Sequence, residues 1–143
     1  LMRYGVTLFE TLMVLGVLLT LGFFSLPLYQ NFQQVNDLQI AFNLITNVAT
    51  RAQTKAQSVE GDSSWGIKIL TNEIVLFKGA SYASRDISAD EKTKFSSTIA
   101  VNPSFEIVFN KFTGYPNMTV AATLTNGLNG TKPFSINERG AIY

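Results

Sequence analysis

The chain predicts an α+β fold: a long N-terminal helix, apolar on every face in its first half, packed through its second half on a small antiparallel β-sheet head. Three observations carry this. Between Val6 and Asn36 the only charged residue is Glu10. From Val35 onward apolar residues recur at alternating steps of three and four, the period of a helix with one buried stripe. From Trp65 onward the period falls to two, the alternation of strands.

The first element is the apolar run Val6 to Leu28. As a helix rising 1.5 Å per residue it would reach about 35 Å, enough to cross a bilayer with slight tilt. A run this apolar on all faces argues against a buried core helix in so small a chain. A cleaved secretory signal is the competing reading, with Arg3 as its basic region. No small-x-small cleavage site follows, and Pro27-Leu28-Tyr29-Gln30 passes straight into the next helical pattern. Pro27 lacks an amide hydrogen, and Gly16 and Gly22 lower helix propensity, so a kink is expected between Gly22 and Pro27.

Glu10 needs a reason, because a carboxylate at membrane depth is costly. Thr7-Leu8-Phe9-Glu10 fits the S/T-x-x-E capping box, in which the threonine oxygen and the glutamate satisfy orphan amides at a helix start. That local account leaves Arg3-Tyr4-Gly5, directly upstream, unexplained.

Arg3-x-Gly5, then Val6 to Leu12 with Glu10 at the fifth position, then an apolar run ending Leu26-Pro27-Leu28-Tyr29, resembles the N-terminal signature of type IV pilins and type II secretion pseudopilins. The resemblance implies a leader of residues 1–5 cut by a prepilin peptidase between Gly5 and Val6, with methylation of the new terminus. The family's usual first mature residue is Phe, so Val6 is a departure. It implies residues 6–30 as the transmembrane and assembly half of the helix, with Thr7, Glu10 and Pro27 as assembly residues. Cleavage creates a positive amine at Val6 among apolar neighbours, and Glu10 would neutralise it, most usefully across to a staggered neighbouring subunit. A misplaced subunit would leave a buried unpaired charge, costing about 3–5 kcal/mol. Glu10 would then act as a register check.

The second half of the helix, 31–60, carries Val35, Leu38, Phe42, Ile45, Ala49, Ala52, Ala56 and Val59 on one stripe, widened by Ile40, Leu44 and Val48. A free two-stranded coiled coil competes, but the small residues at 49, 52 and 56 suit close packing against a sheet. Glu60 to Ser64 ends the helix.

The head, 61–143, reads as an antiparallel meander of five or six strands with one face on the helical stripe. Trp65, Ile67 and Ile69 alternate, Thr71-Asn72 turns, and Glu73 to Lys78 returns. Phe95 to Val101, Phe105 to Phe109, Met118 to Thr125 and Lys132 to Asn137 supply the rest. Asn126 to Gly130 is a turn cluster. The spacing from Ile107 to Gly114 and from Ile136 to Ile142 is similar to the C-terminal domain of GspH/FimT-type minor pilins and pseudopilins, which tilts the expectation towards a minor subunit.

Composition narrows the chemistry. The 143 residues carry 11 Lys+Arg against 10 Asp+Glu, with no His and no Cys. A chain without imidazole or thiol has no N/S zinc site, no imidazole base and no thiolate nucleophile; carboxylate, Ser or Lys chemistry stays open in principle, and the expectation is no enzyme, no cofactor and no metal. Asp86 to Glu91 places oxygens at alternate positions but lacks the glycine and the final glutamate of an EF-hand loop, so Ala80 to Lys94 is expected to be a solvated loop. Asn117-Met-Thr119 and Asn129-Gly-Thr131 match the glycosylation tripeptide, a pattern common by chance, and the sequence gives them no weight. Lys111, Lys132 and Arg139 are weighed as a DNA-facing edge, but three scattered basic residues fit an ordinary solvated surface better.

The expectation is a structural subunit whose partners are other pilin or pseudopilin subunits, the prepilin peptidase and an inner-membrane assembly platform with its ATPase. It would span the inner membrane once, then enter a cell-surface or periplasmic filament. The alternatives are a DNA- or surface-binding minor pilin of a competence or adhesion system, and a membrane-tethered binding module that never polymerises.

Overall fold

The computed structural model describes residue 5 and residues 7–143, with the side chains of residues 24–31 and 34 outside the description. The fold is α+β. Helix α1 (Leu8–Gln57) is followed by a 3-10 turn (Glu60–Asp62) and by strands β1 (Trp65–Leu70), β2 (Glu73–Lys78), β3 (Asp86–Lys94), β4 (Ala100–Asn102), β5 (Glu106–Phe109), β6 (Val120–Thr125) and β7 (Thr131–Ile136). The chain divides into two compact units, Leu1–Gln33 and Gln34–Tyr143. Arg3, Tyr4 and the expected cleavage residue Val6 lie outside the described residues, as does the side chain of Pro27. Among the described residues no helix is long and apolar enough to cross a membrane. The apolar run expected to span, Val6 to Leu28, extends at both ends beyond the side chains described.

In the second unit one stripe of α1 forms the centre of the core: Leu38, Ala41, Ile45, Val48, Ala49, Ala52 and Ala56 are buried. Ala49, Ala52 and Ala56 have no exposed surface, so the helix lies close against the strands where its side chains are smallest. The expected stripe is longer than the buried one. Val35 is 64% exposed, and Val59 falls beyond the helix end with φ 57°. The last turn is closed from a distance: Phe112 N–H donates to the Ala56 carbonyl at 3.1 Å, satisfying one of the orphan carbonyls of a helix terminus.

Two antiparallel sheets replace the single expected meander. The first has the order β3-β2-β1-β5 and the second β4-β6-β7. The difference arises at β5, which returns beside β1 with Trp65 opposite Phe109 and leaves β4 to pair with β6. The stretch Ala80 to Lys94, expected as a loop, contains β3, an edge strand with Thr93 opposite Ile74 and Glu91 opposite Leu76. Its side chains are exposed or half-buried throughout, so it carries none of the apolar alternation that marks an interior strand. Charges on an edge strand disfavour pairing with another chain. The strand expected from Phe95 to Val101 shrinks to Ala100–Asn102, because Ile99 N–H closes a turn on the Ser96 carbonyl.

The first sheet is covered on both faces. Ile67, Ile69, Ile74, Leu76, Ile107 and Phe109 face the helix and join its core. On the other face Val75, Phe77 and Val108 are also buried. There the segment after β2 folds back over the sheet, with the Tyr82 ring edge-on to Phe77 at 5.6 Å. Tyr82 N–H donates to the Glu106 carboxylate at 2.8 Å, and Arg85 pairs with Asp90 at 2.9 Å beneath the Tyr82 ring. Gly66 lies opposite Phe77, and a Cβ there would stand 2.5 Å from the Phe77 ring, so the strand pair needs glycine for the aromatic ring to lie across it.

In the second sheet Val120, Ala122, Leu124, Phe134 and Ile136 point inward, while Met118, expected on the same face, is 52% exposed. Phe134 stacks on Phe105 at 5.7 Å and meets Phe42 of α1 edge-on at 5.9 Å, tying both sheets to the helix. The β6–β7 loop is built around Asn126, whose Oδ1 accepts from Leu128 N–H at 3.1 Å and Gly130 N–H at 2.7 Å.

Candidate assembly site

At the start of α1 the backbone needs partners for its first amides, and Thr7 supplies one. Its Oγ1 accepts from Glu10 N–H at 3.2 Å, and its carbonyl accepts the first helical bond from Thr11 N–H at 3.2 Å. This is the threonine half of a capping box. The glutamate half is not made: among the described residues, no hydrogen bond or ion pair engages the Glu10 carboxylate. Glu10 is exposed.

Around that acid the helix surface is apolar on every side. Every large apolar side chain from Leu8 to Phe23 is more than half exposed, from 53% at Val14 to 82% at Phe23. The two other threonines of the run turn their hydroxyls inward: Thr11 donates to the Leu8 carbonyl and Thr20 to the Val17 carbonyl, each at 2.8 Å. Their polar atoms are thereby satisfied within the helix, leaving methyl groups outward. A contiguous exposed apolar surface of this extent is rare on a protein monomer in water. Its one carboxylate sits next to the helix N-terminus, where the macrodipole favours negative charge.

Of the residues expected to act together, Thr7 and Glu10 are brought into contact through the backbone. Gly5 is described and exposed, and Val6 and the Pro27 side chain fall outside the description. The three basic residues weighed for nucleic acid do not share an edge free of partners. Lys111 pairs with Asp62 and lies 4.9 Å from the Phe112 ring centroid. Lys132 bonds Gln39 and lies 4.1 Å over Phe42. The Lys111 ammonium and its hydrogen bond hold the Asp62 carboxyl below its ordinary value. Among the described residues no group of acids could hold a metal ion.

One surface feature escaped the sequence reading. An open groove of about 390 Å³ runs beside α1, between Ile40, Asn43, Leu44, Asn47, Val48, Arg51 and Thr93. Ile40, Leu44 and Val48 were legible as a widening of the stripe; Thr93 was not, because β3 reads as a loop. Compared with known proteins, the chain matches no family model, no curated protein and no solved structure.

Proposed function

We propose that the chain is a structural subunit, a minor pilin or pseudopilin, of a type IV pilus or type II secretion-like filament. In this reading residues 6–30 form a helix held in the inner membrane before assembly and in the filament core afterwards. The prepilin peptidase cuts between Gly5 and Val6, and an assembly platform with its ATPase moves the subunit into the fibre. The supporting observation is the capping box with only its threonine half made. Thr7 caps the helix without help from the Glu10 side chain, so capping does not account for the acid, and the carboxylate remains available to a charge from elsewhere.

The amine created at Val6 is such a charge, on the same subunit or on a staggered neighbour. Pairing across subunits neutralises both groups only at the correct axial offset, and an offset that leaves either one unpaired costs about 3–5 kcal/mol. Glu10→Gln tests this. The variant inserts in the membrane as well as the parent and is lost from sheared filaments. Normal recovery of Glu10→Gln in filaments would reduce Glu10 to a local helix-start residue. Mass spectrometry of the mature protein reads processing directly: the expected chain begins at Val6, and a chain retaining Tyr4 and Gly5 contradicts it.

A further inference from the structure

We propose that Asn129 is an N-glycosylation acceptor site, taking an oligosaccharide from a polyprenyl-diphosphate donor, and that Asn117, which carries the same tripeptide signature, is not. The sequence cannot separate the two, since each has threonine two residues on and no proline between. The structure separates them by what each carboxamide and backbone already do.

Asn117 is built into the edge of the first sheet. Its Oδ1 accepts from Val108 N–H at 3.1 Å, and its own N–H donates to the Val108 carbonyl at 2.8 Å. Those bonds close the outer edge of β5 beside the isolated bridge from Phe109 to Pro116. Asn117 is exposed, but turning its carboxamide into a transferase breaks the Oδ1 bond and uncovers the amide of Val108, a buried residue.

Asn129 has none of these ties. It is exposed at the tip of the β6–β7 loop, in the left-handed region at φ 61°, next to Gly130. Among the described residues no hydrogen bond engages its carboxamide. The keystone of the loop is Asn126, whose Oδ1 takes the Leu128 and Gly130 amides, so the loop keeps its shape without the Asn129 side chain. Thr131 is exposed and opens β7, where a transferase can reach its hydroxyl at the mouth of the hairpin.

The transfer balances as a substitution at the sugar. The Asn129 Nδ2–C1 bond forms, the C1–oxygen bond to the diphosphate breaks, the polyprenyl diphosphate leaves, and one amide proton is lost to base. The proposal rests on the proposed function only for its location, since a head exported across the inner membrane meets donors of this class.

The test uses the full chain in detergent with a purified oligosaccharyltransferase and its polyprenyl-diphosphate oligosaccharide, the sites being assigned by peptide fragmentation. The folded chain gains the mass of one oligosaccharide at Asn129 and none at Asn117, whereas the urea-unfolded chain is modified at both. Thr131→Ala abolishes the addition at Asn129 and leaves the unfolding midpoint of the chain in place. Modification of folded Asn117 at the rate of Asn129, or no modification of folded Asn129 under conditions where the unfolded chain accepts at both, overturns the proposal. The reaction in vitro is blind to compartment, so its failure is distinct from the failure of Glu10→Gln to block filament entry.

Discussion

Replacing Gly66 by alanine tests the packing of the head on its outer face. Alanine is ordinarily the better strand and helix residue, favoured over glycine by about 0.5–1 kcal/mol because the unfolded chain loses less entropy. At this position the added Cβ would lie 2.5 Å from Phe77 Cζ and 2.7 Å from the Ile107 carbonyl oxygen. Neither neighbour moves cheaply. Phe77 has no exposed surface and lies under Tyr82, and the Ile107 oxygen is backbone in the adjacent strand. Overpacking of this kind costs about 1–3 kcal/mol, so the net change is a destabilisation despite the entropic gain. The only tryptophan, Trp65, is next in the chain and 4% exposed, and its fluorescence reports the transition in urea. With a urea slope of about 1–3 kcal/mol/M, the midpoint falls by several tenths of a molar to about 1 M. Phe77→Leu removes the ring edge that meets the new methyl, so the double variant loses less than the sum of the two single losses. A neutral or stabilising Gly66→Ala, or strict additivity with Phe77→Leu, refutes the placement of that ring over Gly66.

Other outcomes follow from single contacts. Asn126→Ala strips the acceptor from the Leu128 and Gly130 amides and costs about 1–3 kcal/mol, read as a lower unfolding midpoint with faster hydrogen exchange confined first to the β6–β7 loop. Thr7→Ala removes the cap on Glu10 N–H and costs about 0.5–2 kcal/mol of helix stability, seen as lost protection in the first turn of α1. Asp62 titrates below the ordinary carboxylate value because of Lys111, and Lys111→Ala returns it upward in an NMR titration. Since its folded value is lowered, the stability from this pair is present above the unfolded carboxylate value and disappears as pH falls through the folded one.

The buried stripe of α1 was legible because helix periodicity is local: Leu38, Ile45, Ala49, Ala52 and Ala56 announce themselves by spacing alone. So were β1, β2, β6 and β7, whose alternation or turn residues sit within a few positions of one another. Strand β3 was not, because an edge strand dressed in Asp86, Asp90, Glu91, Lys92 and Lys94 reads as a solvated loop until β2 is placed beside it. The split into two sheets was also hidden, since β5 chooses β1 across some forty residues and local pattern says nothing of partners. At the start of α1 the sequence offered the whole capping box. Only the geometry distinguishes the threonine half, which is made, from the glutamate half, which is not. The same holds for Asn117 and Asn129, identical as motifs and opposite in what their carboxamides hold.

In the proposed function the Glu10 carboxylate, which makes no capping bond in its own helix, serves a neighbour's newly exposed amine. A cross-linking measurement addresses it most directly: zero-length carbodiimide coupling of sheared filaments, followed by mass spectrometry of the joined peptides. The expected product is an amide between the Glu10 side chain of one subunit and the terminal amine of a neighbouring subunit. Fibres in which the Glu10 side chain couples to no terminal amine, while other carboxylates react, contradict the account.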